Sequence, residues 1–275
     1  MPTLYLDTTV PADRLFGHSE TVDCLKQICG QNPLISSTYV WDEFRKTVLH
    51  DFVTCHACLL NAMARGESLQ DGLRRFKAHP QLSYRPRRRD RGWDITILLQ
   101  GFQSVEGAVD RLERDIRWNL HRVFFQGLVQ PLRNGTDCKM TAAEPIMIPP
   151  DSAGGYARFD LPSGCNKVSP PNCQIITFWK RNREALRLVT DMRIPADLRK
   201  DTRHELSVLR EEAGKLVGCI DTDPNECYGK RCYAVFADLV ITLDCPPTVP
   251  IVTRNHRHFA PLCSTLSRPE PISYR

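Results

Sequence analysis

Leu4-Tyr5-Leu6-Asp7-Thr8 near the start and Ile251-Val252-Thr253-Arg254-Asn255 near the end decide the fold. Each is a short apolar run closed by an acid or an amide, the pattern of a buried strand that stops at a polar edge. Pro33-Leu34-Ile35-Ser36 gives a second strand of the same kind, and the helix after it carries Glu43 in its early turns. A helix over 233–243 carries Asp238, which opens the apolar run Leu239-Val240-Ile241. The stretch from Asp238 to Asn255 has room for one helix and the next strand. In a parallel α/β sheet ligands bind beyond the carboxyl ends of the strands, so Asp7, Glu43, Asp238 and Asn255 are expected to converge there. Clustered carboxylates repel one another unless a cation lies among them, so such a convergence points to a divalent metal.

The order and separation of these pieces resemble the PIN family of metal-dependent nucleases, which includes the VapC-type bacterial toxins. The residues that carry the resemblance are Leu6-Asp7-Thr8, Ser37 with Glu43, Ala237-Asp238-Leu239-Val240-Ile241, and Thr253-Arg254-Asn255-His256-Arg257-His258-Phe259. It implies an α/β fold with a three-layer core around a parallel sheet, built from residues 1–65 and 217–275. A mostly helical insertion, 66–216, would interrupt that core and set substrate choice. The resemblance further implies that Asp7, Glu43 and Asp238 are acidic ligands of Mg²⁺ or Mn²⁺, with Asn255 where many members have a fourth acid. Thr253, with Thr8 and Ser37, would position ligands or phosphate, and Arg254 would contact phosphate. The implied chemistry is hydrolysis of a phosphodiester, most often in RNA, leaving a 5′-phosphate and a 3′-hydroxyl. A toxin of this kind implies a neutralising protein partner, and members often form homodimers. The position before Phe259, often acidic in the family, is His258 here, and both His256 and His258 read as surface or turn residues.

Two other functions stand beside the ribonuclease: a DNA nuclease, and a scaffold with weak or no catalysis that binds nucleic acid or a protein. Three carboxylates in motif positions favour the enzyme, whereas Asn255 and His258 leave room for the scaffold. RNA is favoured over DNA only through the resemblance, because contacts to the 2′-hydroxyl would lie in the unread insertion.

Composition sets the bounds. A chain of 275 residues with 41% hydrophobic and 25% charged residues can bury an ordinary globular core. No apolar run is long enough for a membrane span, and the start lacks a secretory pattern, so the expectation is a cytoplasmic protein that does not enter membranes. Twelve cysteines are many for that location. Cys55-His56-Ala57-Cys58 has metal-ligand spacing without a second nearby pair, and Cys138, Cys165 and Cys173 or Cys219, Cys227 and Cys232 could contribute to a structural Zn²⁺. Unlinked buried thiols are the preferred reading.

The formal charge of +5 is unevenly spread. Nine basic residues stand between Arg65 and Arg91 against three acids, a surplus of six that exceeds the whole chain's. Its centre is Tyr84-Arg85-Pro86-Arg87-Arg88-Arg89-Asp90-Arg91-Gly92-Trp93. Arg85, Arg87, Arg88, Arg89 and Arg91 suit phosphate, and the two aromatics suit stacking on bases, so nucleic acid is preferred over a merely solvated loop.

Periodicity predicts helices from Ser19 to Cys29, from about Tyr39 to Ala64, from Ser68 to Phe76, over 182–192, and over 195–216 with Pro195 in the first turn. The stretch 95–132 predicts one long amphipathic helix or a pair broken near Gly107, more suited to core than to a dimer interface. Gln174 to Trp179 reads as a strand or a helix start, and 133–172 as a long Pro/Gly-rich loop. Residues 271–274 predict a last edge strand.

Overall fold

The computed structural model describes residues 1–79, 95–130, 132, 146–148, 158–160, 174–222 and 236–274. The described strands are β1 (Leu4–Leu6), β2 (Leu34–Ile35), β3 (Ile146–Ile148), β4 (Arg158–Asp160), β5 (Ile251–Thr253) and β6 (Ile272–Ser273). Four of them form a parallel sheet in the order β2-β1-β5-β6, while β3 and β4 pair antiparallel. Alternation along the strands sends side chains to opposite faces. Tyr5, Ile35 and Ile251 face one core, and Leu4, Leu6, Leu34 and Val252 face a second. Both faces are therefore covered, as a parallel sheet requires.

Thirteen α-helices accompany the strands in the described residues. The first eight are α1 (Thr9–Phe16), α2 (Ser19–Cys29), α3 (Thr38–Phe44), α4 (His50–Ala64), α5 (Leu69–Ala78), α6 (Ile95–Leu98), α7 (Val105–Arg114) and α8 (Leu120–Phe125). The rest are α9 (Gln174–Arg181), α10 (Arg183–Thr190), α11 (Lys200–Thr222), α12 (Ala237–Asp244) and α13 (His256–Thr265). No helix among the described residues is long and apolar enough to cross a membrane.

Two π-helical segments, Arg45–Leu49 between α3 and α4 and Asp115–Asn119 between α7 and α8, follow from the spacing of the buried residues. Val40, Phe44, Val48 and Phe52 are all buried and recur every four positions, as do Leu112, Ile116, Leu120 and Phe124. Each step of four overshoots an α-helical turn by about 40°, so three steps would carry the stripe off one face. A wider i→i+5 turn restores it. The aromatic contacts Trp41–Phe124 (4.8 Å) and Phe44–Phe124 (5.6 Å) then lock α3, which carries Glu43, against α8.

The described part of the stretch 66–216 shares a hydrophobic cluster with the sheet. Its buried residues, from Leu69 through Leu112 and Trp179 to Leu216, join Tyr5 and Ile251 in one hydrophobic cluster. Helix α11 runs through the expected boundary at 216/217, and Val129 N–H donates to Leu34 O at 3.1 Å along the free edge of β2. The apolar stripe of 95–132 is spent inside this core.

Several expectations need correction. The break in 95–132 falls before Ser104, whose Oγ accepts from Gly107 N–H at 3.1 Å and caps α7, so Gly107 lies inside the helix. Ser104→Ala should lower the urea-unfolding free energy by about 1 kcal/mol, and an unmoved midpoint would show that this cap contributes nothing. Pro195 precedes α11 instead of opening it, because Ile194-Pro195 favours extended backbone and the helix waits until Lys200. Gln174 begins a helix, and α1 had no counterpart in the reading because Pro11 masks it, although proline is tolerated in a first turn. The basic centre (Arg85, Arg87, Arg88, Arg89, Arg91, with Tyr84 and Trp93) and Cys138, Cys165, Cys173, Cys227 and Cys232 lie outside the described residues.

Candidate active site

The carboxyl ends of β1 and β5 lie side by side, which brings Asp7 next to Thr253. Asp7 Oδ1 accepts from both the backbone N–H and the hydroxyl of Thr9, each at 2.5 Å, and Oδ2 accepts from the Thr253 hydroxyl at 2.5 Å. The bond to Thr9 N–H is the local turn that an Asp makes two residues ahead, and here it also starts α1. Thr253 Oγ1 accepts in turn from Asn255 N–H at 2.8 Å, and Thr9 Oγ1 from Arg254 N–H at 3.0 Å. The two threonines thus hold the carboxylate and the turn after β5 as one unit.

Burial pushes the Asp7 carboxyl up from the ordinary 3.8 to about 6, against the three hydrogen bonds that lower it, and the like charge of Asp238 adds to the rise. No cation pairs with Asp7 among the described residues. Asp238, in the first turn of α12, receives Asn255 Nδ2 at 3.4 Å and His258 Nδ1 at 3.0 Å on the same Oδ2. His258 Nε2 reaches Glu205 of α11 at 3.1 Å. Glu43 accepts a short hydrogen bond from the hydroxyl of Thr8, the residue after Asp7.

Contacts therefore link Asp7 to Thr253 and Asp238 to Asn255 beyond the carboxyl ends of β1 and β5, with Glu43 held on Thr8, the neighbour of Asp7. Ser37 does not share their role: it is fully buried, its Oγ accepts from Val40 N–H at 3.3 Å to cap α3, and it lies in hydrogen-bond contact with Tyr5 Oη at 2.7 Å. Arg254 turns away and pairs with Asp13 at 2.6 Å. Of the neighbouring acids, Asp42 pairs with Lys46 at 2.8 Å and Asp244 accepts from Tyr5 Oη at 3.2 Å, which leaves Glu43 and Asp238 at the site.

Sequence reasoning missed four participants. His258 is a half-buried helix residue bridging two acids, one turn beyond Asn255 on α13, and the i to i+3 spacing was the available signal. Thr9 was legible as the second residue after an Asp. Asp13 and Tyr274 gave no signal: Tyr274 Oη shares its one hydroxyl hydrogen between Thr9 Oγ1 and Asp13 Oδ2, both at 2.9 Å, across nearly the whole chain.

The donors, carboxylates and an amide, suit a hard divalent cation, and Asp7 and Asp238 repel each other with no cation paired to Asp7 among the described residues. Among those residues no group of three or more His, Cys, Asp or Glu side chains gathers as a metal-binding set. A carboxylate pair nonetheless meets the needs of Mg²⁺, which keeps several waters and takes one or two protein carboxylates plus substrate phosphate. The described cysteines are all free thiols, Cys55 and Cys58 included.

The fold and site define a parallel α/β protein with paired acids beyond its strand ends. No family model matches the chain, and neither a curated protein nor a solved structure matches it.

Proposed function

We propose that the chain is a metal-dependent nuclease of PIN-like architecture that hydrolyses phosphodiester bonds, with RNA as the favoured substrate. The observation that carries this reading is Asp7: a buried carboxylate at the carboxyl end of the central strands, raised by burial and by Asp238, and held by hydroxyls instead of a cation. Asp7 and Asp238 would hold Mg²⁺ or Mn²⁺, with Glu43 and Asn255 acting on its water ligands. The bound ion would lower the pKa of a water and neutralise charge on the leaving oxygen. Thr9 and Thr253 fix both oxygens of Asp7 in place, so the ligand is oriented before substrate arrives. Thr8 orients Glu43, and His258 holds Asp238 while Glu205 sets the imidazole.

A DNA nuclease would use the same groups. A scaffold with little catalysis is the other reading, and one observation favours it: Asp238 Oδ2 already carries both Asn255 Nδ2 and His258 Nδ1. End-labelled single-stranded RNA and DNA incubated with Mn²⁺, Mg²⁺ or EDTA separate these readings. Cutting that needs the metal and disappears in Asp238→Asn is expected, with RNA cut faster than DNA. Intact substrates in every condition, with binding retained, would hand the site to the scaffold.

A further inference from the structure

Two adjoining clefts lie beside the site, of about 590 Å³ and about 960 Å³, and share Arg193, Ile194 and Ala196. The smaller is lined by Arg193, Lys200, Arg203, His204 and Arg210 and, among the described residues, by no acid. The larger adds Arg257 and Arg268 against Asp197 and Glu270. Arg193, Lys200, Arg203, Arg210 and Arg257 are exposed and make no ion pair among the described residues. Cations elsewhere on the same helix behave differently, since Lys215 pairs with Glu211 and Glu212, each at 2.8 Å. Arg203, Ser207 and Arg210 recur at four and three positions along α11, so they share one face.

Two helices line the clefts and also carry residues of the candidate site. On α13, Asn255 and His258 reach Asp238 while His256 and Arg257 line the larger cleft. On α11, Glu205 reaches His258 while Arg203 and His204 line the smaller one. Unpaired like charges held together in a concave surface raise the local concentration of a polyanion. Guanidinium groups match phosphate oxygens bidentately. Among the described residues neither cleft is lined by Trp, Tyr or Phe, the side chains that stack on bases and that anchor protein interfaces.

We infer that this double cleft is a sequence-independent track for the sugar–phosphate backbone of single-stranded nucleic acid leading to the candidate site. The inference rests on the nuclease reading for its choice of nucleic acid over an acidic protein, and its test is independent of cleavage. Binding of a fluorescent single-stranded RNA oligonucleotide to the whole chain, in EDTA, is followed by anisotropy as salt is raised. Arg203→Ala/Arg210→Ala is compared with wild type and with Arg74→Ala, a cation already paired with Asp71 on α5. Circular dichroism checks that each variant folds.

Two lost phosphate contacts should lower the slope of log K against log salt by about 1.4, so the deficit of the double variant shrinks about sevenfold between 50 and 200 mM salt. Arg74→Ala should bind as wild type does. Equal affinity and slope in the double variant would overturn the inference. So would a chain that ignores RNA and binds polyglutamate through these arginines, which would make the cleft a protein-docking surface. Slope loss in the double variant together with a wild type that cuts nothing in Mn²⁺ would uphold the track and sink the nuclease.

Discussion

Asp7→Asn is expected to lose metal-dependent cleavage by at least about 10²–10³-fold, the scale seen when a preorganised electrostatic group is removed. The same variant is expected to fold more stably at neutral pH. Asp7 rises from 3.8 to about 6 on folding, chiefly through burial. Its stabilising contribution is therefore full below 3.8, where it is protonated in both states, and is lost as pH rises through about 6. Above that pH the ionised form costs about 3 kcal/mol. Asparagine removes that cost but reverses the polarity of the bond to the Thr253 hydroxyl, which takes back about 1 kcal/mol. A net gain of about 1–2 kcal/mol at pH 8 in EDTA should remain, narrowing at pH 5. Mn²⁺ should raise the melting temperature of wild type and leave Asp7→Asn unmoved. Urea melts at both pH values, with and without Mn²⁺, check this. A variant that is less stable at pH 8, with no difference in its response to metal, would make Asp7 a structural acid and remove the nuclease reading's main support. A site group that costs stability and supports function is the common trade between the two.

What the sequence disclosed and what it withheld divide along physical lines. The strands at Leu4–Leu6 and Ile251–Thr253 were legible through the order and separation of several apolar runs ending in a polar residue, since one such run alone is common. Glu43 was legible because Ser36-Ser37 marks where α3 begins, although Ser37 itself turned out to cap that helix. The π segments were written in the steps of four around Val48 and Ile116, but the overshoot takes its meaning only once those residues share a core. Helix α1 was hidden by Pro11, and with it went Asp13. His258 looked like a surface residue because no local pattern tells that α11 brings Glu205 to its other nitrogen. The basic double cleft was beyond reach for the same reason: Arg203 and Arg257 are far apart in the chain and line adjoining clefts only because the chain folds α11 against α13. The shared cluster also gave no local signal, since a long helical stretch between two halves of a sheet reads as an insertion and only the fold places Trp179 and Leu216 in one hydrophobic cluster with Tyr5.

Arg254→Ala tests the hardest of these reassignments, from phosphate contact to structural pivot. Arg254 Nη1 lies 2.6 Å from Asp13 Oδ1, with the two side chains 10% and 2% exposed. The second oxygen of Asp13 accepts from the neutral hydroxyl of Tyr274. Removing the guanidinium leaves Asp13 buried without its charge partner, and breaking a pair in this way costs about 3–5 kcal/mol. The loss should spread to the site, because Thr9 Oγ1 accepts from both Arg254 N–H and Tyr274 Oη while its hydroxyl holds Asp7. Chemical denaturation should therefore show a large fall in stability, and Asp13→Asn on the same background should restore part of it by removing the stranded charge. Non-additivity of about 1–3 kcal/mol in that double-mutant cycle is the signature of direct coupling. The opposite outcome, near-native stability with RNA affinity and salt slope both reduced, would return Arg254 to the substrate. That result would also mean that Asp13 finds another cation when Arg254 is gone. The cycle decides between the two roles because a solvent-facing phosphate contact has no reason to depend on Asp13.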